Sequence, residues 1–400
     1  MTIGRIISGW ASALALAGCA TAQADAPPRL SAAVPAVTQS TPARMPSFDA
    51  KDSLLFWSSE RRSAAFRAME KSFPGLEVAA AARPRALPRA AQSLPAETRA
   101  KLRAFMAETQ AAGLMVLKDG RIVFEDYTLG FTPTERWTSF SVAKSFTSTL
   151  LGAAIRDGRI ASIDTPVTAI LPELAHTAYD GVTVGQVATM TSGVAWNEDY
   201  ADPDSDVARM LAIAPVTGES QAVTYARTLK REAPAGQKWV YKTLETNLLG
   251  LIVERATGKS LAAYAAEKIV GPAGFAGGLF WMQDLTGGNI GGCCVSLRLS
   301  DYARMGQWVL EGAQPSVPAG WFEKAGGRAV DFGGGYGYGY QWWVYPQGFG
   351  AQGIFGQAIT IVPEQKLVIA VVSNYPTATA KALTDARRTM LADVIAAVKP

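Results

Sequence analysis

Ser141 and Lys144 stand three residues apart in a 400-residue chain whose single histidine is His176. At that spacing two side chains share one face of a helix, about one turn apart, so an amine can reach the hydroxyl and take its proton. A Ser-His-Asp hydrolase would have to use His176; a nucleophilic hydrolase on this chain more naturally takes lysine as its base. The residues Arg136-Trp137-Thr138-Ser139-Phe140 lead into the pair and place Ser141 at the first turn of a helix. There the free backbone N–H groups and the helix dipole favour developing negative charge. Burial would lower the Lys144 pKa and make the neutral amine available as a base. Chance alone supplies one such pair in a chain of this composition, so the pair needs context.

Two further stretches supply that context. Tyr241 precedes an apolar run over residues 247–254. A phenol there can project into a cleft, and beside a lysinium its pKa would fall, so that it relays a proton to a leaving group. Downstream, Gly348-Phe349-Gly350-Ala351-Gln352-Gly353-Ile354-Phe355-Gly356-Gln357 leads into a strand. Glycines let a backbone approach a ligand closely, and an N–H opposite that of Ser141 would complete an oxyanion hole.

In this order the three stretches resemble the serine β-lactamase and penicillin-binding-protein superfamily, in particular its esterase and 6-aminohexanoate-oligomer hydrolase branch. The resemblance runs from about residue 114 to 374 and includes residues 164–167, 171–173, 182–184, 189–193, 196–200, 301–306, 338–343 and 362–364. It implies that Ser141 is the nucleophile that forms an acyl-enzyme, with Lys144 as general base and Tyr241 as proton shuttle. It further implies an oxyanion hole from the N–H of Ser141 and one within residues 351–354, with Ile354 and Gly353 as the substrate-side backbone. Tyr200 resembles the tyrosine that closes over substrate in the oligomer hydrolases. Thr243 stands where the family's Tyr-x-Asn carries its asparagine, so a side-chain amide is missing there.

The Lys-Thr-Gly strand of β-lactamases aligns with Gly348-Phe349-Gly350, which lacks the carboxylate-binding lysine. Losing one charge-assisted bond of roughly 2–3 kcal/mol costs about two orders of magnitude in recognition. Efficient β-lactamase or D,D-peptidase activity is therefore disfavoured unless another basic residue substitutes. Neutral or weakly polar small-molecule esters and amides remain, with carboxylesterase activity first and amide-oligomer hydrolysis second. The aromatics over residues 336–343 and 349–355 either line an acyl pocket or pack the sheet.

The elements that must position these residues follow from periodicity. Residues 114–127 read as a hairpin turning at Asp119-Gly120, and residues 141–156 as a helix ending near Gly158. Helical patterns dominate about residues 163–312. Strands return at 338–344, 357–363 and 366–373, and an amphipathic helix closes the chain over 379–398. The fold class expected is α+β: an antiparallel sheet flanked by helices, with a mainly helical inserted subdomain over about residues 163–312.

At the N-terminus Arg5 precedes an apolar run over residues 6–18, too short for a permanent membrane helix. Leu16-Ala17-Gly18-Cys19 resembles the lipobox of bacterial lipoproteins. Residues 1–18 are then a signal peptide, Cys19 the lipidated residue, 19–50 a disordered tether and 51–400 the hydrolase domain. Ala20 carries no retention charge, which points to the periplasmic side of the outer membrane. Ordinary secretory cleavage between Ala24 and Asp25 is the alternative. The net charge of +4 is spread in mixed sign, and no basic block with interleaved aromatics points to nucleic acid. Cys293 and Cys294 read as small buried residues or a vicinal disulfide. No Cys/His spacing suggests zinc, and no metal or other cofactor is expected. A lipid-anchored binding protein on a hydrolase fold is the non-enzymatic alternative, which the joint presence of Ser141, Lys144 and Tyr241 disfavours.

Overall fold

The computed structural model describes residues 33–43 and 54–398. The expected signal peptide, Cys19 and most of the expected tether lie outside the described residues. Asp119 and Gly120 adopt positive φ (51° and 72°), so Ala111–Lys118 turns back tightly and pairs with Arg121–Tyr127. Ala111–Lys118 is apolar on both faces, as a strand covered from both sides must be. Leu114 and Val116 pack with side chains of the Ala96–Thr109 and Lys381–Ala397 helices, while Met115 and Leu117 join the larger core on the opposite face.

The free edge of this hairpin pairs with Leu367–Ser373, Leu114 lying opposite Val371. The two ends of the chain thereby close one eight-stranded antiparallel sheet. Its order is Arg121–Tyr127, Ala111–Lys118, Leu367–Ser373, Ala358–Val362, Gly348–Gln352, Trp343–Tyr345, Tyr336–Tyr338, Val330–Gly333. The strand expected over 338–344 is split in two. Gln341 takes φ 62° and its amide nitrogen donates to the carbonyls of Val187 and Ala188, which pulls the intervening turn toward the helical half.

The Val142–Arg156 helix has 13 buried residues in its 15 and packs against Thr243–Thr257 at the centre of the molecule. A helix buried on all sides belongs inside a core, and this one carries Lys144 there, with Ser145, Thr147, Ser148 and Thr149 buried beside it. A second, five-stranded antiparallel sheet runs Val37–Ser40, Gly75–Val78, Leu279–Met282, Val295–Leu297, Trp137–Thr138. It departs from the sequence reading in two places. Val37–Ser40, inside the stretch expected to be a disordered tether, is an edge strand in register with Gly75–Val78. The helical region about 163–312 also contributes two strands to this sheet. Cys293 and Cys294 are joined by a disulfide, rather than being two separate small buried residues.

Candidate active site

Trp137–Thr138 runs directly into Ser139, whose N–H donates to Val295 O at 2.7 Å and whose Oγ accepts from Val295 N–H at 3.0 Å. Phe140 then takes φ 44°, a conformation uncommon for a residue with a side chain, and turns the chain so that Ser141 caps the Val142–Arg156 helix. Lys144, in the first turn, is 1% exposed. Its Nζ lies 3.1 Å from Ser141 Oγ, 3.0 Å from Thr243 Oγ1 and 2.8 Å from Gly292 O. Burial lowers its pKa to about 8, against the opposing pull of Glu198. A neutral amine can donate its two N–H groups to Gly292 O and Thr243 Oγ1, which leaves the lone pair facing the serine hydroxyl.

Tyr241 is hydrogen-bonded to Ser141, and its ring centroid is 5.1 Å from Lys144 Nζ. Trp343 stacks on that ring at 5.6 Å. The sequence reading expected a nearby lysinium to depress the phenol's pKa. The structure reverses this: burial, reinforced by the Glu198 carboxylate, pushes it up, although the contact with Ser141 pulls the other way. Tyr241 is therefore a protonated phenol at neutral pH and suits the role of proton donor.

Thr243, expected on the substrate side, sits behind Lys144 and does not line the cleft. Its hydroxyl accepts from the lysine and donates to Glu198 Oε1. Glu198 also accepts from Thr243 N–H at 2.9 Å, from Tyr200 OH at 2.7 Å and from the Trp196 indole. Four donors thus satisfy both carboxylate oxygens. The sequence reading did not single out Glu198, because nothing local links it to Thr243, 45 residues away. An acidic residue two positions before that tyrosine was the available signal.

A cleft of about 310 Å³ opens over the serine and is lined by Ser141, Glu198, Tyr200, Tyr241, Trp343 and residues of the strand end from Gln352 to Ile354, among others. A Cβ on Gly353 would lie 2.4 Å from Ser139 O, so only glycine lets this strand end approach the nucleophile segment. The Gly353 N–H is taken by Gln357 O at 2.8 Å. The N–H groups of Ser141 and Ile354 carry no hydrogen bond among the described residues, which fits Ile354 as the second oxyanion donor and Gly353 as its spacer. The alignment of Gly348-Phe349-Gly350 with the cleft strand is corrected by register. Phe349 is 8% exposed and packs on Trp342 and Phe322, and the residue presented to the cleft is Gln352. Most of the neighbouring aromatics pack the core, Trp343 being the one of residues 336–343 that reaches the cleft. The His176 side chain is 95% exposed and faces only Asp180.

The profile of the β-lactamase family matches residues 98–281 and 298–393, well over half of the chain. A 6-aminohexanoate-dimer hydrolase of Paenarthrobacter ureafaciens is 32% identical over 297 residues, covering 68% of this chain and 74% of that protein. Among solved structures, a Bacillus anthracis protein provisionally assigned as a 6-aminohexanoate-dimer hydrolase superposes with a TM-score of 0.73 at 22% identity, over 83% of this chain and 93% of the other. A class C β-lactamase superposes with a TM-score of 0.59 at 18% identity, over 76% and 96%. At these identities the two structures speak to the fold. Together with the profile and the sequence relative, they place the chain in the β-lactamase family, as a serine hydrolase.

Proposed function

We propose that the protein hydrolyses esters or amides through an acyl-enzyme on Ser141. The observation that carries this reading is the buried Lys144 amine, 3.1 Å from Ser141 Oγ with its pKa brought down to about 8. Lys144 takes the serine proton as Oγ attacks the carbonyl carbon, and the N–H groups of Ser141 and Ile354 hold the oxyanion. Tyr241 delivers its proton to the departing alkoxide or amine and recovers one from the lysinium. A water then attacks the acyl-enzyme, giving its proton back through the same pair and releasing the acid and free Ser141.

Short-chain carboxylic esters are the first substrate class and linear amide oligomers the second, the latter in line with the name of the 32%-identical relative. β-Lactam or D-Ala-D-Ala hydrolysis is the competing reading: Gln352 and not a lysine stands at the strand end in the cleft, although Arg387 lines the same cleft. A panel of p-nitrophenyl esters, linear amide oligomers, nitrocefin and a D-Ala-D-Ala peptide separates them, and nitrocefin turnover faster than the esters would reverse the order. A fluorophosphonate probe should add one mass increment that Ser141→Ala abolishes; labelling that survives the substitution rules the mechanism out. Anchoring at the periplasmic face of the outer membrane through Cys19 is proposed from the lipobox-like stretch alone, and lipid incorporation that persists in Cys19→Ala refutes it.

A further inference from the structure

The carbonyl that receives the Lys144 amine adjoins a covalent bond that the acyl-transfer chemistry does not use. Gly292 O accepts from Lys144 Nζ at 2.8 Å, and it belongs to the peptide unit whose nitrogen is that of Cys293. Cys293 is joined by a disulfide to Cys294, its neighbour in the chain. Because a peptide unit is planar, the placement of the Cys293 backbone sets the direction in which the Gly292 carbonyl points.

Beyond the bridge the chain is tied down. Cys294 O accepts from Met282 N–H at 3.2 Å. Val295 follows and exchanges two hydrogen bonds with Ser139, two residues before the nucleophile, at 2.7 and 3.0 Å. The bridged pair thus stands between the strand that holds the nucleophile segment and the carbonyl that holds the base.

Before the bridge the chain has little stiffness of its own. A Cβ on Gly291 would lie 2.5 Å from Thr246 O, and one on Gly292 2.9 Å from Thr243 O. Glycine lets this segment press against the Thr243–Thr257 helix, but it also has the widest backbone freedom of any residue. Gly291 O accepts from Thr147 Oγ1 and Gly292 N–H donates to Asn247 Oδ1, both at 2.8 Å. These bonds place the two glycines and leave the Gly292 carbonyl to turn about a glycine ψ. The disulfide supplies the missing restraint. Cys294 takes φ 102°, a conformation that residues with side chains seldom adopt and that a reduced chain is free to leave.

We propose that the Cys293–Cys294 disulfide is a positioning element for Lys144, and that its reduction by a dithiol switches catalysis down by letting the Gly292 carbonyl turn away from the amine. This rests on the acyl-enzyme reading above and adds a redox control to its base. Without that acceptor one N–H of the neutral amine is no longer held, and the lone pair loses its aim at Ser141 Oγ. Cys293 is partly exposed whereas Cys294 is 1% exposed, so attack falls on Cys293 Sγ. One thiolate of the dithiol bonds to that sulfur and expels the Cys294 sulfur, which takes up a proton. The second thiol of the reductant then displaces Cys293, leaving two protein thiols and the reductant as a cyclic disulfide.

The test reduces the folded enzyme with dithiothreitol, desalts it without air, and compares p-nitrophenyl acetate hydrolysis before and after. The mass of the peptide carrying both cysteines reports the state of the bond. Reduction should lower kcat about tenfold or more with little change in KM, because the bridge orients the base and does not touch substrate. Oxidised glutathione should restore the rate. Cys293→Ser and Cys294→Ser should each show the low kcat from the start and respond to neither reagent. Recovery on reoxidation, with an unchanged circular dichroism spectrum, separates positioning from unfolding. Equal kcat in the oxidised and reduced enzyme, or serine variants as active as the parent, overturns the positioning role. A bond that dithiothreitol leaves intact in the folded enzyme, or that oxidised glutathione cannot form, overturns the switch. Fluorophosphonate labelling of the oxidised enzyme keeps the two readings apart. No label on Ser141 sinks the acyl-enzyme, whereas normal label with a rate indifferent to reduction sinks only the role of the disulfide.

Discussion

Lys144 is a base whose basicity is set by two opposed neighbours, the dry core that lowers its pKa and the Glu198 charge that raises it. As the proposed base it must be neutral, so kcat/KM for a neutral ester should rise with pH through about 8. Removing the negative charge with Glu198→Gln stabilises the lysinium less, so the midpoint of that limb should move to lower pH. A pH–rate profile of both proteins checks the sign, and a midpoint that stays put or moves upward removes Glu198 from the electrostatics of the site. Ser141, Lys144 and Tyr241 were legible because each carries a local signal, a three-residue spacing or a place just before an apolar helical run. Glu198 and Arg387 had none. Each is an ordinary charged residue until the fold brings it to the cleft, Glu198 against Thr243 and Arg387 against Gln352.

The Gly348–Gln352 strand and the helix that Ser141 caps must meet at one point for the oxyanion hole to exist. Residues 348–356 contain four glycines, each a candidate for close approach in the sequence. Cβ atoms on Gly348, Gly350 and Gly353 would strike Ile361 O, Ile359 O and Ser139 O respectively, so only the third glycine faces the nucleophile segment. Gly353→Ala must displace that backbone contact, because 2.4 Å leaves no room for a methyl group. We expect kcat to fall on the order of a hundredfold with little change in KM, since the loss is felt when the oxyanion forms. Unchanged kcat for a p-nitrophenyl ester would show that Ile354 is not the second donor. The same register explains why the strand alignment read from sequence was displaced: pairing of Gly350 with Thr360 and of Gln352 with Ala358 sets which residue leaves the sheet at the cleft.

For the molecule as a whole, buried charge gives stability an unusual dependence on pH. Glu245, faced by Lys242 and Ser192, and Glu254, accepting from Leu261 N–H, are both pushed up to about 7 by burial, from an ordinary value of 4.5. Between those values the native state keeps protons that the unfolded chain has released, so stability falls as pH rises through this window. Lys144 acts in the opposite sense: between about 8 and its ordinary 10.5 the unfolded chain binds the extra proton, so stability rises with pH. Tm should therefore be lower at pH 7.5 than at pH 5.5 at equal ionic strength, and Lys144→Met should flatten only the alkaline rise. Calorimetry across that range checks it; a Tm that climbs steadily from pH 5.5 to 7.5 contradicts the placement of the two glutamates.

By itself the sequence determined the α+β class, the Asp119-Gly120 hairpin, the helix that begins at Ser141 and the trio of Ser141, Lys144 and Tyr241. These are properties of short windows, where periodicity and turn chemistry act over a few residues. Tertiary structure decided the second sheet, the capture of Val37–Ser40 from the expected tether, the protonated state of Tyr241, the Glu198–Thr243–Lys144 chain and the meeting of Arg387 with Gln352 in the cleft. Each depends on burial or on contact between distant segments, and the free energy of a charge or a hydrogen bond is set by those surroundings rather than by its neighbours along the chain.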